Sequence, residues 1–202
     1  LVFAEEQGSF LVGVIAAQAS KAGNVGFIGG VNTPLIKKFE VGFAAGVKAV
    51  NANAKVQIKY LSEFPDFSGF GDPAKAKVTA EGMFDAGADV VYHAAGGSGA
   101  GLFEAAKAAG KLAIGVDSDQ YLTADPAVQD VILTSMLKRV DVAVYNMIKS
   151  FVDGAPLTGS NIFDLAGDGV GYSPSNSAVS EYTAKADEFA EQIKSGAVSV
   201  PT

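Results

Sequence analysis

The chain contains no cysteine and a single histidine, His93. Without cysteine there are no disulfides, no thiolate metal sites and no cysteine nucleophile. One histidine is too few for a histidine-based zinc site within the chain. Long apolar runs are missing as well. No stretch of about 18 apolar residues occurs, so nothing reads as a membrane-spanning helix. Positive charge is scarce and dispersed: 15 Lys and Arg stand against 22 Asp and Glu, a net charge of −7. No basic run offers a footprint for phosphate backbones, and nucleic acid is not an expected partner. The lack of cysteine leaves the redox compartment open. The first residue is Leu1, no signal peptide is visible, and Leu1-Val2-Phe3-Ala4 reads like the middle of a strand. The expectation is that residues lie upstream, with a leader or a lipid-anchor cysteine among them.

What is present suits a folded core. Apolar residues make up 49% and charged residues 18%, and 24 glycines point to tight turns and close helix–sheet packing. A length of 202 residues fits one large domain or two small ones. Short apolar runs alternate with amphipathic helical patterns. The expected strands are Val2–Ala4, Asn24–Gly29, Lys55–Leu61, Val90–Ala94, Leu112–Val116, Asp130–Thr134 and Asn161–Leu165. Val and Ile dominate several of these, as in parallel sheets covered on both faces. The clearest helix runs from Thr33 to Val50, with Thr33 as N-cap, Pro34 in the first helical position, and a stripe of Leu35, Phe39, Phe43 and Val47. Asp72-Pro73 opens another in the same way, with Ala76, Ala80 and Met83 facing the core. Ser9–Ala22, Gly101–Ala109, Arg139–Val152 and Ser180–Lys194 complete the set. The alternation argues for an α/β fold built on a doubly wound parallel sheet. Residues 24–134 suffice for one such lobe. Residues 1–23 read as the remnant of an N-terminal lobe, 135–158 as a helix returning to it, and 159–202 as a hinge return with the C-terminal segment.

In open parallel sheets, ligands bind beyond the carboxyl ends of the strands. Here those ends are Gly29–Asn32, Ser62–Asp72, Ala95–Gly99 and Asp117–Gln120, all rich in Gly, Asp, Ser or aromatics. The loop with glycines at 96, 97, 99 and 101 misses the G-x-G-x-x-G spacing, and no Gly-Lys-Ser/Thr follows it. It is either a tight strand-to-helix turn or a loop whose backbone N–H groups approach a ligand. Asp117 and Asp119 either cap a helix or accept hydrogen bonds from ligand hydroxyls; no nearby His or third acid supports a metal. Lys138 is either solvated or, opposed to Asp117, able to grip a diol through charge-assisted bonds worth roughly 1.5–3 kcal/mol each. Phe64, Phe67 and Phe70 sit in an otherwise polar loop. They either anchor it or offer a ring for stacking, worth about 1–3 kcal/mol. His93 reads as a core residue, and no Ser/His/Asp set is nominated. The lack of a catalytic set favours binding over chemistry, and no cofactor is expected.

Taken together, several segments resemble one family. They are Glu5–Gly13, Val25–Gly30, Phe39-Glu40-Val41-Gly42-Phe43-Ala44-Ala45-Gly46, Phe70–Lys75, His93-Ala94-Ala95-Gly96-Gly97-Ser98-Gly99, Ile114–Gln120 and Ser135–Asp141. In this order they resemble the basic membrane protein family of bacterial lipoproteins, the purine-nucleoside receptor type of ABC-transporter binding protein. The resemblance implies a periplasmic-binding-protein type I-like fold, with the ligand held between two α/β lobes. It implies a purine nucleoside as ligand, an ABC permease as membrane partner, and a periplasmic or cell-surface location with a lipid anchor. The family's ribose-binding Asp and Lys fall on Asp117 and Lys138, its glycine-rich loop on Gly97, and its ring-stacking aromatic on Phe70, with Phe67 or Phe64 as alternatives. The family's first strands and their Asp/Asn/Phe ligand motif would precede Leu1. A sugar-binding protein, a nucleoside-processing enzyme and the sensing domain of a transcription regulator are the competing readings.

Overall fold

The computed structural model describes residues 1–202. Its elements follow in chain order: β1 (Val2–Phe3), α1 (Glu5–Ala19), β2 (Asn24–Asn32), α2 (Pro34–Val50), β3 (Lys55–Glu63), α3 (Pro73–Asp85), β4 (Val90–Ala94), α4 (Gly99–Ala109), β5 (Leu112–Asp117), α5 (Gln120–Thr123), β6 (Ile132–Lys138), α6 (Val140–Val152), β7 (Ile162–Phe163), β8 (Val170–Tyr172) and α7 (Thr183–Lys194). Six strands form one sheet in the order β3-β2-β4-β5-β6-β8, and β1 pairs with β7 apart from it. Every pairing in the large sheet is parallel except β6 with β8.

Alternation along the strands sorts side chains into two cores. Val90, Tyr92, Ala94, Ile114 and Val116 point to the face covered by α1 and α2, while Val91, Ala113 and Ile132 point to the face covered by α3 and α4. Both faces are dry, which is why these strands are nearly continuous apolar runs. Helix starts follow local chemistry. Thr33 Oγ1 accepts from Ile36 N at 3.4 Å and Asp72 Oδ1 accepts from Lys75 N at 2.9 Å, each with Pro in the first turn. Ala76, Ala80 and Met83 are buried as expected.

Several sequence expectations need correction. α1 begins at Glu5, not Ser9, and ends at Ala19. Its polar start belongs to the helix because Glu5 and Glu6 are buried in its first turn, where carboxylates complement the helix dipole. In α2, Leu35 turns outward and Ile36 joins Phe39, Phe43 and Val47 in the core. The strand expected at Asp130–Thr134 is shifted: Gln129–Val131 form a 3-10 turn and β6 continues to Lys138, held on one side by β5 and on the other by β8. The three-residue β8 was not expected, and only Ile162–Phe163 of Asn161–Leu165 form a strand. α4 starts at Gly99, and α7 at Thr183 after a 3-10 turn at Ser177–Glu181. Residues 1–23 were read as the remnant of another lobe; within them α1 packs along α2 and against β6, β8 and α7.

The α1–α2 contact is close because glycines face backbone across it. A Cβ on Gly46 would lie 2.0 Å from Phe10 O, one on Gly42 2.2 Å from Glu6 O, and one on Gly13 2.3 Å from Phe43 O. Those distances admit no side chain without helix separation. Gly46→Ala is therefore expected to destabilise the protein by roughly 1–3 kcal/mol, although alanine favours helix, read as a lower denaturant midpoint at unchanged m-value.

Candidate functional site

The rim at the carboxyl ends of the parallel strands holds a cavity of about 210 Å³. Asp117 ends β5 and Lys138 ends β6. The register sets Asp117 opposite Leu137, one residue short of Lys138, so both charged residues stand at the ends of neighbouring strands. Lys138 Nζ lies 3.6 Å from Asp117 Oδ1. Asp117 has φ of +65°, a left-handed backbone that costs most residues about 1–2 kcal/mol and that Asp tolerates better. A half-exposed pair of this kind contributes at most about 1 kcal/mol to stability.

The strained turn is held from behind. Gln120 Oε1 accepts from Val116 N at 2.7 Å and meets His93 Nε2 at 2.9 Å, while Gln120 N donates to Ser135 Oγ at 3.0 Å. Because Gln120 Oε1 can only accept, the network assigns the proton of His93 to Nε2, leaving Nδ1 to accept from Ala95 N at 3.4 Å. Burial in the core lowers the His93 pKa to about 4, against the small opposing effect of the Gln120 hydrogen bond. His93 is thus the core histidine expected, and its ring is covered by Gly99, where a Cβ would meet it at 2.0 Å.

The opposite wall comes from the β3–α3 loop. Ser98 Oγ donates to Gly69 O at 2.7 Å and accepts from Asp72 N at 2.8 Å, and Ser62 Oγ accepts from Gly69 N at 3.2 Å. The Ser98 hydroxyl fastens the loop to the glycine turn after β4, and that of Ser62 fastens it to the end of β3. The Phe70 ring then lies on Gly30, where a Cβ would stand 2.4 Å from it. Outward from Phe70, the Phe67 ring follows at 6.4 Å and 26°, and Phe64 meets Phe67 edge-on at 6.0 Å. Phe64 and Phe67 are exposed, whereas Phe70 is half-buried and lines the cavity.

Of the residues singled out in the sequence, Phe70, Asp117 and Lys138 share this cavity. Gly97 does not line it; Gly96 does. At φ of +55°, Gly96 turns the chain under Phe70, and Gly97 faces a second hollow of about 520 Å³ beside Phe103, Gln120 and Val128. That larger hollow is lined by the carboxylates of Glu104 and Asp125 and by no Lys or Arg. Asp119 lies behind the rim: Ser175 donates to its Oδ2 and its Oδ1 is buried without a partner. The sequence reading missed Phe39, taken only as core, which lines the cavity with Ile36 and Leu35. It also missed Glu5, whose Oε1 lies 4.0 Å from Lys138 Nζ. Glu6 next to it is raised in pKa chiefly by burial, with Lys38 opposing. No cluster of three or more His, Cys, Asp or Glu is arranged to hold a metal ion, and no helix is long and apolar enough to cross a membrane.

An open α/β lobe with a charged and aromatic rim at its strand ends is the architecture of type I solute-binding proteins. A solute-binding protein from Aeropyrum pernix superposes with a TM-score of 0.77 at 27% identity, over 99% of this chain and 66% of that one. A structure from Bacillus halodurans described as a transcriptional activator of the comK gene gives 0.82 at 25% identity, over 100% and 66%. The chain belongs to the Bmp family, described as ABC transporter substrate-binding protein PnrA-like, which it matches over residues 1–202. Among curated relatives, a CD4+ T-cell-stimulating antigen of Listeria monocytogenes is 39% identical over 98% of this chain and 58% of its own length. An ABC transporter nucleoside-binding protein, BmpA, of Lactococcus lactis is 36% identical over 99% of this chain and 59% of its own. The chain thus spans less than two thirds of the relatives it matches.

The buried imidazole has a measurable signature. With a folded pKa of about 4 against 6.5 for a free histidine, stability is complete above the higher value. As pH falls between the two, the unfolded chain takes up the proton first, and roughly 3 kcal/mol is lost. The Cε1–H resonance of His93 is expected to hold its neutral-form shift down to about pH 5, where a solvated histidine has already titrated.

Proposed function

We propose that the full-length protein holds a purine nucleoside between this lobe and a second α/β lobe, and presents it to an ABC permease at the cell surface or in the periplasm, tethered there by a lipid anchor. The observation that carries this reading is the approach of Asp117 and Lys138 to 3.6 Å at the mouth of a cavity walled by the Phe70 ring. A vicinal diol carries donors and acceptors on adjacent atoms. Asp117 accepts from one hydroxyl and Lys138 donates to the other, each charge-assisted bond being worth roughly 1.5–3 kcal/mol. Phe70 offers the heterocycle a face, and the backbone at Gly96 approaches without a side chain in the way. A nucleoside matches all of these, whereas a free sugar leaves the ring unused and a free base leaves the ion pair unused. The nucleoside-binding name of the Lactococcus lactis relative supports the same ligand.

Binding without turnover fits the chemistry of the rim. The one imidazole is buried, neutral and committed to Gln120, so it is not placed as a general base. The family's description as substrate-binding proteins points the same way.

The lobe boundaries are part of the proposal. α6 buries only Ala143, and its Val144, Tyr145, Ile148, Phe151 and Val152 are exposed. We assign α6 with the β1–β7 pair to the second lobe, so that the chain crosses between lobes near Ala4, near Lys138–Arg139 and again before β8. The relatives' greater length supplies the rest of that lobe.

Thermal unfolding of the full-length protein tests the reading. Purine nucleosides are expected to raise Tm, with about 2.7 kcal/mol of stabilisation at a hundredfold excess over Kd, while free bases and ribose leave it unchanged. Asp117→Gly, which relieves the left-handed backbone, should keep the ligand-free Tm and lose the nucleoside response. Equal shifts with ribose or arabinose would overturn the nucleoside assignment.

A further inference from the structure

Glu5 stands next to Lys138 in the first turn of α1 and does not itself line the cavity. Its side chain is only 4% exposed. Oε2 accepts from Lys38 Nζ at 3.3 Å, and Oε1 faces Lys138 Nζ at 4.0 Å. Lys38 is itself fixed, donating to Phe3 O at 3.1 Å and standing 3.8 Å from Glu6 Oε2. A carboxylate this deeply buried is a poor way to gain stability, because its desolvation offsets the attraction of its partners. Its burial beside Lys138 leaves room for another role.

Lys138 supplies one. A lysine ammonium sits on a flexible four-carbon stem and, unrestrained, samples many rotamers. Here the ammonium lies over two aromatic rings, with Nζ 5.7 Å from the centre of Phe3 and 5.9 Å from that of Phe39. Carboxylates flank the ammonium, Glu5 at 4.0 Å and Asp117 at 3.6 Å. Neither distance is a hydrogen bond, so attraction fixes the position of Nζ while its N–H donors stay free for an incoming acceptor. Asp117 alone would draw the amine onto itself and use up the acceptor that a ligand hydroxyl needs. Glu5, attracting the same amine, keeps the pair open.

We infer that Glu5 is a positioning residue that holds the Lys138 ammonium back from Asp117, so that the pair stays set to receive a diol. The inference rests on the reading of Asp117 and Lys138 as ligand contacts. Removing the charge of Glu5 while keeping its shape should let Lys138 close onto Asp117, and the penalty should fall on sugar recognition alone.

The test is calorimetry on the full-length protein with inosine and with 2′,3′-dideoxyinosine, in the wild type, Glu5→Gln, Lys138→Met and the double variant. Glu5→Gln is expected to weaken inosine binding roughly 10–100-fold, the usual range for partners that orient a ligating side chain, and to leave dideoxyinosine nearly unaffected. In the Lys138→Met background the same change should alter inosine binding less than about twofold. An undiminished effect there would mark a packing defect and overturn the inference. A second readout needs no ligand: with lysines 13C-dimethylated, the Lys138 resonance, assigned by its loss in Lys138→Arg, should move in Glu5→Gln as the amine closes onto Asp117. If it does not move, the inference falls whatever the wild type binds. If it moves while no nucleoside binds, the positioning role stands and the nucleoside reading fails. Should Glu5→Gln not fold, Glu5→Asp, which draws the carboxylate away from Lys138, is read in the same way.

Discussion

Parallel strands cannot be joined by tight turns, so each needs a crossover, and every carboxyl end comes to lie on the same rim. In this chain β3, β2, β4, β5 and β6 obey that constraint, and all the candidate ligand groups are consequences of it. Asp117 and Lys138 are 21 positions apart in sequence yet adjacent in space, because β5 and β6 end together. Phe70 joins them because the loop after β3 folds over the ends of β2 and β4, pinned by Ser62 and Ser98. The rim is assembled by topology first and tuned by side chains second.

The tuning sets polar supports behind the charged groups of the rim. Gln120 locks the turn that strains Asp117, and His93, neutral and buried, locks Gln120. On the amine side, Glu5 and Lys38 tie the end of β6 to the first turn of α1 and to the backbone of β1. The acid side is thus backed by the buried His93 and the amine side by the buried Glu5, which favours geometry fixed before any ligand arrives.

The central strands were legible in the sequence because both of their faces are covered, and a doubly covered strand has little choice but Val, Ile and Ala. α2 and α3 were legible because Thr33-Pro34 and Asp72-Pro73 state a helix start in local chemistry. What escaped depended on distant partners. Glu5 and Glu6 look like loop until α2 supplies Lys38, and β8 is three residues whose only support is the edge of β6. Leu35 and Ile36 are both apolar, so periodicity alone could not say which faces the core. At the candidate site, Asp117, Lys138 and Phe70 line one cavity, but Gly96 and Gly97 are indistinguishable in sequence; only the sense of the turn puts one of them under Phe70. Phe39 was hidden by its own suitability as a core residue, although it also borders the cavity.

The uncovered face of α6 has a practical consequence for work on this stretch of chain. Val144, Tyr145, Ile148, Phe151 and Val152 form a sticky strip on an otherwise acidic particle of net charge −7. Sulfate and phosphate strengthen apolar association and also screen mutual repulsion, so both act in the same direction. The 202-residue chain should salt out early, and cooling in dilute buffer should disperse it.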